Sequence, residues 1–191
     1  YSNICTVAIP PAQLIEAVSS GAWSNPATWS TNSVPSRYDS VVVSNGYEVI
    51  LDDAAANAYH LVIDSGALVY ENTSATRKLN VHGNLWVSEE GKISVHTAPT
   101  NVNISMVLAV RGDIYNNGIV DLYKKNGTKE EGVILTFFGR NVSSFITNAT
   151  AITNISSLSV ERTNIADSVY FSPATATVRG YNTDVLSNGG F

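Results

Sequence analysis

With 191 residues, 44% of them hydrophobic and only 14% charged, the chain can build one continuous core and carries too little charge to be disordered. A net charge of -5, with no basic run beyond the pairs Arg77-Lys78 and Lys124-Lys125, argues against nucleic acid as a partner. No apolar stretch is long enough for a membrane span, and abundant Ser, Thr and Asn suit an all-β extracellular protein better than a helical cytosolic enzyme.

The chain opens at Tyr1 without a methionine or a signal-like segment, which reads as a processed mature chain. In the first strand candidate, Ile4, Thr6 and Ala8 fall on one face and Cys5, Val7 and Ile9 on the other. Both faces are largely apolar, so this strand needs a partner, either its own first coil or a neighbouring copy. Cys5 is the sole cysteine and cannot form an internal disulfide; burial is favoured over a bridge between chains. Pro10-Pro11 ends the strand. Ala12 to Ser19 then predicts a short amphipathic helix, with Leu14, Ile15 and Val18 on one face and Gly21 as a stop. Residues 1–20 thus read as an N-terminal strand and helical cap, and residues 21–191 as a single β domain.

From Asp39 onward, apolar residues fall two apart in short runs broken by glycine. Leu79-Asn80-Val81-His82-Gly83-Asn84-Leu85 with Gly91-Lys92-Ile93-Ser94-Val95 is followed by Leu108-Ala109-Val110-Arg111-Gly112-Asp113-Ile114 with Gly118-Ile119-Val120-Asp121-Leu122. Period-two spacing means strands with one buried face. Glycines 46, 66, 91 and 118 mark bends, and each interval holds about one coil of a β-solenoid. The predicted interior is Val41, Val43, Val49, Leu51, Leu61, Ile63, Leu68, Leu79, Val81, Leu85, Ile93, Val95, Leu108, Val110, Ile114, Val120 and Leu122. Lys124 to Gly132 reads as a polar loop, Val133 to Phe138 as an apolar strand, and Leu158–Val160 and Val169–Phe171 as later strands. A β-sandwich or jelly roll would share this composition, but the near-repeat speaks against it.

Gly21-Ala22-Trp23-Ser24-Asn25-Pro26-Ala27-Thr28-Trp29, then Val34-Pro35, Asp39-Ser40-Val41, Gly46-Tyr47-Glu48-Val49-Ile50-Leu51-Asp52 and the ladder form an ordered series. From about Gly21 to about Leu122 this series resembles the G8 domain family, named for its recurring glycines. The resemblance implies a right-handed parallel β-helix on extracellular proteins, including hyaluronan-degrading and microbial surface proteins. It does not by itself imply catalysis, and in the degrading members the G8 segment is followed by a much longer β-helix.

Trp23 and Trp29 can stack on sugar rings, but a plug at the start of the core is the favoured role. Trp86 follows an inward Leu85 and should face out, with Tyr115 at the equivalent place one repeat later; such a pair can contact sugar or a neighbouring chain. A glycosidase needs two carboxylates facing one another across a cleft. Asp52 and Asp53 are adjacent, Glu89-Glu90 and Glu130-Glu131 read as solvated charge, and Asp39 reads as a turn holder. His82 aligns with Arg111 one repeat later, a base beside a cation as a lyase would want, though two exposed polar groups at a bend are favoured. His60, His82 and His96 have no metal-ligand spacing, and no cofactor is implied.

Six N-glycosylation sequons begin at Asn72, Asn103, Asn126, Asn141, Asn148 and Asn154, the first three in predicted loops between coils. Two functions remain open. One is a non-catalytic, secreted, glycosylated structural or adhesive module, assembling with copies of itself into a filament or surface layer. The other is a carbohydrate-binding or hyaluronan-degrading type of β-helix, with glycans or polysaccharide as partner.

Overall fold

A computed structural model describes residues 11–71, 75–96, 106–126, 129–139, 142–164, 167–172 and 177–178. The chain winds as a right-handed parallel β-helix. It enters through Leu14–Glu16 (β1) and Gly21–Ala22 (β2). Five coils of three parallel-stacked strands follow. They are Ser40–Val43, Glu48–Leu51 and Ala56–Ala58 (β3, β4, β5); Leu61–Ile63, Ala67–Tyr70 and Arg77–Val81 (β6, β7, β8); and Leu85–Val87, Lys92–Val95 and Met106–Val110 (β9, β10, β11). The fourth is Ile114–Asn116 and Ile119–Asp121 (β12, β13) with a hairpin of Tyr123–Asn126 and Lys129–Gly139 (β14, β15). The fifth is Ser143–Thr147, Ile152–Ile155 and Ser157–Arg162 (β16, β17, β18), and Val169–Ser172 and Thr177–Val178 (β19, β20) begin another.

Stacking the coils makes three sheets. The first runs β1-β3-β6-β9-β12-β16-β19 and the second β2-β4-β7-β10-β13-β17-β20. The third runs β5-β8-β11-β15, with β18 paired to β15 beyond. Apart from the β14–β15 hairpin, the named strand pairs are parallel, which excludes the sandwich and jelly-roll alternative.

All seventeen predicted interior residues are buried. Each rung aligns like with like, as in Leu61–Leu85–Ile114–Phe145, so the core is a set of apolar ladders rather than a mosaic. The bend glycines stack too. A Cβ on Gly118 would lie 2.1 Å from the Ser88 carbonyl oxygen, and one on Gly91 the same distance from that of Ile63. Gly46 differs: its surroundings are open, and a φ of +71° in the turn after Asn45 is what requires glycine.

Two expectations fail. Ala12 to Ser19 forms no helix; Leu14–Glu16 pairs in parallel with Ser40–Val42. Ile15 and Ala17 point inward while Leu14 and Val18 are exposed, so the period is two. The stretch expected as a polar loop instead contributes to both strands of the hairpin, with Lys124 opposite Glu131 and Lys125 opposite Glu130 in backbone register. The strand expected from Ile4 to Ile9, with Cys5, lies outside the described residues.

Candidate functional site

The solenoid has two unlike ends. At the N-terminal pole, Trp23 and Trp29 meet edge to face with ring centroids 4.9 Å apart, both buried across the mouth of the core. Trp29 Nε1 donates to the Trp23 carbonyl at 2.8 Å. Trp23 Nε1 is buried without an acceptor, so only one of the two indole N–H groups is bonded as a plug would require. The segment between them is shaped residue by residue. Asn25 Oδ1 accepts from Ala27 N and caps a 3-10 turn that starts at Pro26. Thr28 Oγ1 donates to the Ala22 carbonyl, and Ser24 donates from its N–H and hydroxyl to the Asp52 carboxylate one coil on.

The same segment then turns back along the outer edge of β1. Val18 N donates to the Thr28 carbonyl at 2.9 Å, and Ser30 N to the Glu16 carbonyl at 2.8 Å. The first sheet therefore has a closed edge at this pole, made by an antiparallel return and an aromatic plug instead of the expected helix.

The C-terminal pole is open among the described residues. Register places Leu158 over Leu135, Val160 over Phe137 and Phe171 over Phe145, so these side chains face the core. The residues beneath are fully buried, yet Leu158, Val169 and Phe171 are half-buried and Val160 is 38% exposed. Among the described residues, no strand pairs with the far edge of β18, β19 or β20.

Along the outer face of the first sheet runs a single row, Val42–Val62–Trp86–Tyr115–Ile146. Trp86 and Tyr115 are stacked with ring planes 6° apart and centroids 5.8 Å apart, and the His60 ring leans on Trp86 at 5.3 Å. Both sequence-chosen aromatics face outward. Beside them, backbone N–H groups are received by the side chain one coil earlier: Asn84 N by His60 Nδ1, Asp113 N by Asn84 Oδ1 and Ser144 N by Asp113 Oδ1. Sequence reasoning missed this ladder, because its members differ in chemistry and share only their place before each first-sheet strand. It holds the coils in register and leaves the aromatic row flat.

The family model of the G8 domain matches residues 28–147. The chain belongs to the G8 domain family. No curated protein and no solved structure matches it. The match reaches beyond Leu122, where the sequence resemblance fades, to the end of β16.

In this G8 chain the candidate base and cation are neighbours, since Arg111 N donates to the Val81 carbonyl one coil back and so places Arg111 after His82 in the stack. Burial first, then the charges of Arg37 and Arg111, holds the His82 pKa below its ordinary value. His82 Nε2 lies 3.1 Å from Asn57 Oδ1, and its ring meets the Phe138 ring edge-on. The carboxylates are employed elsewhere. Asp39 receives Gln13 N, Ser36 N and the Ser36 hydroxyl, the turn role expected of it. Asp53 receives Ala55 N. Among the described residues, no three His, Cys, Asp or Glu side chains gather as a metal would need.

Asn72, Asn103 and Asn141 lie outside the described residues. Asn126 ends β14. Asn148 sits in an exposed turn, where its Oδ1 receives Thr150 N, the Thr150 hydroxyl and Ala151 N. Asn154 lies within β17, and its Nδ2 donates to Asp121 Oδ1 in the strand beneath. No described helix is long and apolar enough to cross a membrane.

Proposed function

We propose that this G8 chain is a non-catalytic, secreted and glycosylated structural module that assembles with copies of itself into an extracellular filament or surface layer. The observation that carries the reading is the inequality of the poles. Among the described residues β18, β19 and β20 leave an unpaired edge while the first pole is covered, and two unlike poles meeting head to tail make a heterologous contact that does not close on itself. The sequon at Asn148, in the exposed turn after β16, agrees with an extracellular life. Electron microscopy of the purified chain tests assembly, and intact mass before and after enzymatic deglycosylation tests modification. Monomers at high concentration would refute assembly, and an unmodified mass from the native source would refute the glycosylated secreted reading.

A second reading rests on Trp86 and Tyr115. A stacked, half-exposed aromatic pair in one row on the outer face of the first sheet suits contact with the apolar faces of sugar rings, so the same module can hold a polysaccharide while acting as scaffold. Turnover of hyaluronan, pectin or alginate is not expected, because the charges that bear on His82 are the cations Arg37 and Arg111 and its Nε2 meets the Asn57 amide, not a carboxylate to share the proton work. Depolymerisation that disappears in His82→Ala or Arg111→Ala would reverse this.

A further inference from the structure

We infer that a groove across the outer face of the third sheet is a binding site for a neutral oligosaccharide lying along the solenoid axis. The inference deepens the polysaccharide-holding reading above and places sugar on a different sheet from Trp86 and Tyr115.

The groove follows from side-chain size. Alternation turns Leu108, Val110, Leu135 and Phe137 into the core, so Ala109, Thr136 and Phe138 face out. Register sets Asn80, Ala109, Thr136 and Ser159 in one outward row across β8, β11, β15 and β18. Ala109 and Thr136 are only 2% and 4% exposed although they point away from the core. They form the floor of a recess of about 370 Å³, and Lys78, Phe138 and Glu161 are among the residues that line it. That volume falls within the range of small-ligand clefts. Every lining residue belongs to one of these four strands, so the recess is built from described strands alone. Three rung spacings give it a length of about 14 Å along the axis.

The lining chemistry selects the ligand. Lys78 and Glu161 stand at opposite corners and offset one another, and the other lining side chains are uncharged. Arg111 does not line the recess; its side chain runs beside Gly139 at the bend. The hydroxyls of Thr136, Ser157 and Ser159 and the Asn80 amide can each donate and accept, as the hydroxyls of a sugar do. A carboxylated or phosphorylated ligand would call for donors and a net positive lining instead. Phe138 adds one apolar face for a pyranose ring, steadied by the edge-on His82 ring at 5.8 Å. An extended peptide would need a free strand edge, whereas the main chain under this floor is spent in the parallel ladder.

Affinity electrophoresis of the full chain tests this, in native gels holding a neutral polysaccharide (mixed-linkage glucan, xylan or galactomannan) or an acidic one (hyaluronan or alginate). A neutral polysaccharide should slow the wild-type chain. Phe138→Ala should weaken that binding about tenfold, the loss of one aromatic contact. Ser159→Trp, which fills the floor row from an outward position, should abolish it with an unchanged melting curve; Ser157→Trp is the second filling variant should the first melt early. Slowing by the acidic polysaccharides alone would overturn the ligand class. Slowing lost in Trp86→Ala and Tyr115→Ala but kept in the groove variants would place the sugar on the first sheet, overturning the groove while the polysaccharide reading stands. If no polysaccharide slows the wild-type chain, both fail.

Discussion

Ser30 donates its backbone N–H to the carbonyl of Glu16, and that bond, with its neighbour from Val18 to Thr28, closes the edge of a seven-stranded sheet. Ser30 Oγ also receives Glu16 N, so the return is bonded through main chain and side chain together. Without it β1 would be an exposed parallel edge with Leu14 beside it.

Ser30→Pro should therefore open this pole. Trp29 is already extended, with φ -113° and ψ 143°, so proline fits after it and the main loss is hydrogen bonds. The expected cost is about 1–3 kcal/mol, seen as a lower melting temperature, together with concentration-dependent light scattering. An unchanged melting curve would mean the return strand contributes nothing to the cap.

Gly118→Ala should destabilise more than its one methyl group suggests. The new Cβ would meet the carbonyl oxygens of Ser88 and Gly91 at 2.1 and 2.4 Å, both of them backbone atoms that cannot rotate away. About 1–3 kcal/mol or more is expected, measured by denaturant unfolding. Gly46→Ala is the comparison, since it strains only its own backbone and meets no neighbour.

Stability should fall on mild acidification through His82. Its folded pKa lies below the unfolded value, so the unfolded chain takes up the proton first. The stabilising contribution is complete above about pH 6.5 and is lost as pH drops from there through the folded pKa. His82→Gln should flatten this part of the melting temperature against pH. An identical acid slope in the variant would assign the effect to another group.

Trp86→Ala and Tyr115→Ala separate scaffold from ligand binding. Each removes one half of a stacked, half-exposed pair, so the loss of stability should stay near 1 kcal/mol. Retention on immobilised polysaccharide should fall together for both variants if sugar rings lie along the row. Retention that persists in both places the ligand elsewhere.

Most of the coil architecture was legible in the sequence because its signal is local. Alternation within four or five residues decides which of Leu79, Val81 and Leu85 face inward, and the bend glycines tell where each rung ends. The first strand was not legible, since Leu14, Ile15 and Val18 satisfy a helical stripe as well as a strand. What decides is the pairing of Ile15 with Val41, which no short window contains. The outward stack of Trp86 on Tyr115 was readable from the repeat, because one coil places equivalent positions side by side. The closed first pole was not, because the cap depends on Thr28 and Ser30 returning to β1 across a dozen residues that no periodic pattern links.

The central claim is polar self-assembly, and electron microscopy of the full chain beside one lacking residues 1–9 tests it most directly. The full chain should form rods with a subunit rise of roughly 33–39 Å, the height of seven to eight rungs, and the shortened chain should remain folded and monomeric. Dispersed single particles from the full chain, or unaltered rods from the shortened one, would contradict it.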